Sequence, residues 1–345
     1  MARFDPDFPL PKISSGTGPG GLLDNFGRRF AYLRVSLTDR CNFRCTYCLP
    51  KGYQKPADAP SELSREEFRR AVEAFARLGV WKVRLTGGEP TVRRDFSEIA
   101  RDMANIAGVR RVAMTTNGYR LAREARDWRA AGVGAVNVSV DTLDPKAFAA
   151  ITGHDRLTEI LRGVDAAIEA QFDAVKINAV LMDGTEPGDL ADILDFIRER
   201  DVSWRFIELM RTNDNAAFHL QNSRTSERLR AALVAAGWTV QPKAPGAGPS
   251  IDLSHPDYRG TIGIIAPYAS GFCDSCNRLR LSSRGKLHLC LFGEAGIDLR
   301  DLLQHDGQID ELVERIRSAM PHKTLGHRLH DQDSGQTPHL ASIGG

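Results

Sequence analysis

The chain has 345 residues, with 46 Lys and Arg against 44 Asp and Glu, for a formal charge of +2. That length suggests about two domains and is ample for a large core. So balanced a charge calls for neither a nucleic acid nor an anionic membrane surface as partner.

The first 21 residues mix Pro and Gly with Asp5 and Asp7 and contain no apolar run of the kind a secretory signal carries. Residues 1–29 read as a flexible arm of a cytoplasmic protein. No apolar run in the chain approaches the ~20 residues that a membrane span needs. From Phe30 onward, short β-branched runs alternate with helical patterns. The first strand is predicted over 32–37, and a cysteine-rich loop follows it. Ser64-Arg65-Glu66-Glu67 forms a capping box, after which Phe68, Ala71, Val72, Phe75 and Leu78 recur at helical spacing up to Gly79. Further strands are predicted over 81–86, 111–116, 135–140, 174–181 and 204–209, with helices over 96–106, 121–131, 157–170 and 190–200. Six strands, each but the last followed by a helix, argue a parallel sheet with right-handed crossovers.

Strands buried on both faces read as continuous apolar runs, yet these alternate. Leu33, Val35 and Leu37 alternate with Arg34 and Ser36; Trp81, Val83 and Leu85 with Lys82, Arg84 and Thr86. Val138 and Val140 alternate with Asn137, Ser139 and Asp141; Val175, Ile177 and Ala179 with Lys176 and Asn178. Successive side chains point to opposite faces, so the apolar face carries the helices and the polar face lines an interior too charged to pack shut. The expected fold is α/β, an incomplete (β/α)6 barrel holding a large polar ligand.

Past Leu209 the pattern changes to a helix over 226–236 and a Pro/Gly/Ala-rich linker over 241–250. There follow a hairpin with strands over 277–281 and 286–291, a helix near 309–320 and a polar tail ending Ile343-Gly344-Gly345. The expected division is an arm (1–29), a barrel (30–240) and a C-terminal domain (241–345).

The cysteines fall into two groups of three. Cys41, Cys45 and Cys48 are spaced C-x3-C-x2-C, one thiolate short of the four that close a zinc site or a four-iron cluster. The nearest histidines in sequence, His154 and His219, lie more than a hundred residues away, and a disulfide would leave an odd thiol. A [4Fe-4S] cluster held through three irons remains, its fourth iron open to an amine and carboxylate such as those of S-adenosylmethionine (SAM). Cys273, Cys276 and Cys290 form the second group, where the hairpin brings Cys290 beside Cys276. Either a second open cluster or a zinc site completed by His288 fits them. Arg278 and Arg280 share a strand face suited to phosphate or a purine edge. Thr86-Gly87-Gly88-Glu89-Pro90 ends the second strand, where parallel α/β folds bind ligands, and its glycines let the backbone approach one closely. Asp141 is either another ligand or the cap of a turn.

The first triad resembles the C-x3-C-x-aromatic-C signature of the radical SAM superfamily, and Gly87-Gly88-Glu89 resembles its GGE motif. Residues 37–42, 85–90, 115–118, 137–141, 205–208 and 272–281, with Gly344-Gly345, are similar to the GTP 3',8-cyclase family of molybdenum cofactor biosynthesis proteins. Leu49 stands where that family often has Met, and Met210-Arg211-Thr212-Asn213 departs from its usual Met-Pro-x-Gly. The resemblance implies a lyase with two [4Fe-4S] clusters on the two triads. It implies that SAM cleavage yields a radical that takes the 3' hydrogen of GTP, giving (8S)-3',8-cyclo-7,8-dihydroguanosine 5'-triphosphate. It further implies SAM contacts at Tyr47, Gly87, Gly88, Glu89, Ser139 and Met210. GTP contacts are implied at Arg34, Arg84, Thr115, Lys176, Arg205, Arg278, Leu279 and Arg280, with catalytic positions at Arg34, Arg84, Lys176, Gly344 and Gly345. The implied partners are a reductant such as flavodoxin or ferredoxin, a downstream cyclic pyranopterin monophosphate synthase and a second copy of the chain. Two alternatives remain at this point: a radical SAM enzyme acting on a peptide, and a non-catalytic iron-sulfur protein that binds RNA.

Overall fold

The alternation of the strand sequences is realised as two faces of one sheet. The computed structural model describes residues 21–55, 57, 59–183, 187–243, 247–293, 296–336 and 340–343. Six parallel strands form the centre: β1 (Tyr32–Ser36), β2 (Lys82–Thr86), β3 (Arg111–Thr116), β4 (Val133–Ser139), β5 (Ala174–Leu181) and β6 (Ser203–Glu208). The connections carry α1 (Arg65–Arg77), α2 (Phe96–Asn105), α3 (Leu121–Ala130), α4 (Pro145–Thr152), α5 (Leu157–Glu169) and α6 (Pro187–Arg198). Leu33, Val83 and Val112 lie in one register row and Val35, Leu85 and Met114 in the next. All six are buried in one core with Phe68, Val72 and Phe75 of α1. The helix covering this face begins as its sequence predicts, with Ser64 Oγ accepting from Glu67 N–H and the Glu67 carboxylate accepting from Ser64 N–H.

The chain continues through α7 (Ala216–Asn222), α8 (Glu227–Ala235), β7 (Thr239–Val240), β8 (Ile251–Ser254), β9 (Thr261–Ile265), β10 (Arg278–Leu281), β11 (Lys286–His288), β12 (Ile297–Asp298) and α9 (Ile309–Ala319). These later strands extend both edges of the central six: β10 pairs parallel with β1, and β9 parallel with β6. The order is β12-β11-β10-β1-β2-β3-β4-β5-β6-β9-β8-β7, a mixed sheet that is not closed. No helix among the described residues is long and apolar enough to cross a membrane.

Four expectations change. Residues 21–29 do not form a loose arm: Leu22 is buried, donates to Leu78 O and accepts from Phe30 N, and Leu23 bridges to Arg29. The returning strand of the hairpin ends at His288, freeing 289–291 for the cysteine loop. Helices α4 and α7 were not foreseen, because both are short. The punctuation of α4 is nonetheless in the sequence, with Asp144 capping its start through Ala147 N–H, Pro145 in its first turn and Gly153 closing it in the left-handed region. Residues 1–20, and with them most of the arm, lie outside the described residues, as do Gly344 and Gly345.

Candidate functional site

The loop after β1 carries Cys41, Cys45 and Cys48. Phe43 anchors it, buried and stacked on His154 at 4.7 Å with Phe148 and Tyr119 at its edges. Arg44 N and Thr46 N donate to the carbonyls of Thr152 and Ile151 at the end of α4. The three sulfurs converge closely enough to perturb one another. Burial pushes the Cys41 thiol up to about 12, helped by the Glu89 carboxylate, and Cys48 up to about 11. Burial and then the Asp141 carboxylate raise Cys45 further. Three half-buried thiols that hold their protons this tightly suit a site where a cation takes the protons' place.

Gly87 and Gly88 bring the end of β2 against this loop. Gly87 has a φ of 151°, and a Cβ there would strike the Thr38 carbonyl; one on Gly88 would strike those of Asp39 and Arg40. Gly88 N donates to Thr38 O and Glu89 N to Arg40 O, both at 2.8 Å. The glycines are therefore required by backbone packing against the cysteine loop, whatever else they approach. Glu89 is buried, and its carboxylate takes four donors: Thr91 N, Thr91 Oγ1, Thr116 Oγ1 and Asn117 N. It ties the end of β2 to the end of β3. Tyr47 donates its hydroxyl to Asp141 at 3.0 Å, and Asp141 also accepts from Val180 N–H. Burial raises Asp141 to about 6 against those hydrogen bonds. Asn215 donates to the carbonyls of both Tyr47 and Met210, so the altered loop after β6 still joins the first triad. Ser139 ends β4, half-buried.

The polar face of the sheet carries the cations in register. Arg280, Arg34 and Arg84 occupy one row across β10, β1 and β2, and Arg278, Tyr32, Lys82 and Arg111 the neighbouring row. Thr115, Asn137 and Lys176 are aligned across β3, β4 and β5, and Arg205 stands beside Asn178. Arg84 donates to the Tyr32 hydroxyl at 2.6 Å, to Met114 O and to Thr115 Oγ1. Burial would raise the Tyr32 phenol, but the Arg84, Arg34 and Lys82 cations outweigh it and bring it to about 7. Lys176 also sits at about 7, because burial and the neighbouring Arg205 and Arg84 disfavour another positive charge. Burial lowers Arg34 to about 10 and pulls down Arg205 and Arg280 as well. Leu279 faces the other way: period two puts its side chain in the core row with Leu33 and Val83, so only its backbone is available to a ligand.

The second triad flanks β10 and β11. Cys290 and Cys276 both act electrostatically on Cys273, which puts the three thiols in one neighbourhood. His288 points elsewhere, with its ring against Gly296 and the Arg280 and Lys286 cations beside it, and burial with those charges lowers it to about 4. The C-terminal turn Leu340–Ile343 reaches both Arg280 and the first triad. Ala341 and Ile343 are buried, Ile343 O accepts from Arg280, and the Ala341 N–H bonds to Cys48. The cation rows thus lie between two cysteine triads, with the turn Leu340–Ile343 reaching the same space.

The Radical SAM superfamily matches residues 35–197, and Molybdenum Cofactor Synthesis C matches 202–329. A GTP 3',8-cyclase from Aeromonas hydrophila subsp. hydrophila is 51% identical over 341 residues, 98% of this chain and 100% of that protein. The chain belongs to the GTP 3',8-cyclase family. A family member from Haemophilus influenzae is 49% identical, covering 95% of this chain and 97% of its own. Among solved structures, Streptococcus suis SuiB bound to S-adenosylmethionine is 15% identical, with a TM-score of 0.57 over 84% of this chain and 68% of that one. The same protein with its precursor peptide gives 0.59 at 14% identity over 84% and 67%. At that distance the likeness establishes the radical SAM fold alone.

Membership of the cyclase family brings SAM and [4Fe-4S] clusters as cofactors. Both cysteine triads fit such clusters by number, chemistry and mutual proximity, each thiol being half-buried, and His288 is not needed to complete the second. Of the polar groups on the inner face, Tyr32 was not foreseen as a site residue, although it shares its parity along β1 with Arg34. Lys82 was read as polar-facing but given no role. Asn215 carried no signal, since its two carbonyl partners come from distant loops.

Proposed function

We propose that this member of the family is a GTP 3',8-cyclase acting in molybdenum cofactor biosynthesis through radical SAM chemistry, with GTP bound on the cation rows between the triads. The carrying observation is that alignment of Arg280, Arg34 and Arg84, in a chain half identical to GTP 3',8-cyclases. A triphosphate carries about four negative charges, and desolvating them demands several cations facing one cavity.

In this reading Cys41, Cys45 and Cys48 hold one cluster and Cys273, Cys276 and Cys290 the other. A reduced cluster and SAM, bound there, would supply a 5'-deoxyadenosyl radical to take the 3' hydrogen of GTP; the resulting C3' radical would add to C8 of guanine, and one electron from the reductant with one proton would quench the nucleotide radical so formed. Arg34, Arg84, Lys176 and Arg205 neutralise and orient the triphosphate beside Thr115. Arg278 and Arg280 serve the guanine end, with Leu279 contributing backbone only. Tyr47, Gly88, Ser139 and Met210 surround SAM, with Gly87 and Glu89 shaping the loop beneath it. The buried Asn137 Oδ1 has no hydrogen-bond partner among the described residues and offers an acceptor to the nucleotide. Gly344 and Gly345, which lie outside the described residues, are assigned to catalysis on the family resemblance alone.

In this reading the enzyme works in the cytoplasm as a homodimer with a flavodoxin or ferredoxin reductant, and it hands its product to a cyclic pyranopterin monophosphate synthase. Functionally, the barrel and the C-terminal domain divide at residue 240. The test is anaerobic incubation of the reconstituted protein with SAM, reductant and GTP deuterated at the ribose 3' position. Deuterium in 5'-deoxyadenosine together with a cyclised nucleotide is expected; SAM cleavage without deuterium transfer overturns the reading.

A further inference from the structure

Two buried cations reach the second triad from opposite ends of the chain. Arg28 pairs with Asp24 at 2.6 Å. Its Nη1 donates to the Cys273 carbonyl at 2.9 Å and to Leu325 O at 2.5 Å, and its Nη2 to Thr324 O at 2.7 Å. Lys323 donates its Nζ to the carbonyl of Leu289, the residue before Cys290. Both cations lie over the ring of Phe30, the Arg28 Cζ 5.9 Å and the Lys323 Nζ 4.9 Å from its centroid. One aromatic ring thus carries two charges that grip the separate loops supplying Cys273 and Cys290.

Arg28 has a carboxylate partner, but Lys323 has none among the described residues. A buried ammonium without a counter-ion is costly, so an anionic neighbour is needed. The groups beside it that favour its charge are Cys276 and Cys290. The first triad has different surroundings, where the scaffold charges acting on the thiols are the Glu89 and Asp141 carboxylates.

We propose that Arg28, Phe30 and Lys323 form a clamp that positions the second cluster, and that the Lys323 charge holds its reduction potential above that of the first cluster. This rests on the assignment of a cluster to Cys273, Cys276 and Cys290. Three thiolates leave such a cluster negatively charged, and reduction adds one more negative charge. A buried cation favours that step, whereas neighbouring carboxylates oppose it.

The experiment is an anaerobic redox titration of the reconstituted holoenzyme, followed by electron paramagnetic resonance, with iron analysis of each sample. At the parent midpoint of the second cluster, Lys323→Met is expected to lower the reduced-to-oxidised ratio about tenfold, a shift of about 59 mV for a one-electron couple. The first cluster keeps its midpoint, and Lys323→Arg restores the second. An unchanged second midpoint in Lys323→Met overturns the proposal. Should Lys323→Met instead lose half its iron, full iron in Lys323→Arg supports the clamp, and loss in both variants overturns the role of charge. A parent protein that takes up only one cluster sinks the underlying assignment, a result distinguishable from either.

Discussion

Tyr32 and Lys176 are ionisable groups whose surroundings set their charge near neutrality. Each has a folded-state value of about 7, below the ordinary 10.0 of a tyrosine and 10.5 of a lysine. Between pH 7 and about 10 the unfolded chain therefore binds the extra protons, and the stability of the ligand-free protein rises with pH across that window. Denaturant midpoints at pH 7 and pH 9 check this, and the rise should shrink in Tyr32→Phe combined with Lys176→Met. A bound triphosphate reverses the balance by favouring the charged lysine, so GTP binding at pH 8 should take up protons. Calorimetry in buffers of different ionisation enthalpy measures that uptake. Losing one charge-assisted contact costs about 1.5 to 3 kcal/mol. Lys176→Ala and Arg278→Ala should accordingly weaken GTP binding roughly ten- to more than a hundredfold while leaving SAM binding nearly intact. An unchanged GTP dissociation constant would make both residues structural.

Helix α1 illustrates how a local signal acquires a second use. The capping box between Ser64 and Glu67 is complete in the sequence, yet the Glu67 carboxylate also accepts from Arg300 and Gln304. Those partners come from the C-terminal part, so one side chain both starts a helix and fastens distant chain to it. Ser64→Ala removes only a cap and should cost about 1 kcal/mol of stability. Glu67→Ala also leaves Arg300 without its carboxylate partner and should cost more, about 2 to 3 kcal/mol. Urea denaturation of the two variants distinguishes the cases, and equal losses would mean that the Arg300 contact contributes nothing to stability.

The whole molecule is built on one sheet whose edges are supplied by the end of the chain. β10 covers β1 and β9 covers β6, while α9 lies against α1 with Arg69 and Arg70 on Asp306 and Arg77 on Asp310. A fragment of residues 1–240 would expose two parallel edge strands together with the apolar surfaces beneath β9 and β10. It should aggregate or remain open to limited proteolysis, whereas co-expression with 241–345 should recover soluble protein; a monodisperse, protease-resistant fragment would refute this. Deleting Gly344 and Gly345 is a milder cut at the same end. Clusters and the binding of SAM and GTP should survive it and cyclisation should not, because positioning rather than affinity is lost. Iron content and product analysis of the truncated enzyme provide the check.

The period-two alternation of β1, β2, β4 and β5 was sufficient by itself to place cations on an inner face and helices on the outer one. Local spacing likewise marked both cysteine triads, the glycine turn after β2 and the start of α1, because each depends on residues only a few positions apart. Which strands become neighbours was not legible in that way. The row of Arg280, Arg34 and Arg84 joins residues from three distant parts of the chain, and only the pairing of β10 with β1 puts them together. The same holds for Asn215 between Met210 and Tyr47, for Glu89 between β2 and β3, and for Arg28 and Lys323 on one phenylalanine ring. Covalent neighbours and strand periodicity are set by bond geometry and recur wherever the residues do. Contacts between distant segments depend on which edges and faces the folded sheet brings together, and only the tertiary structure decided those.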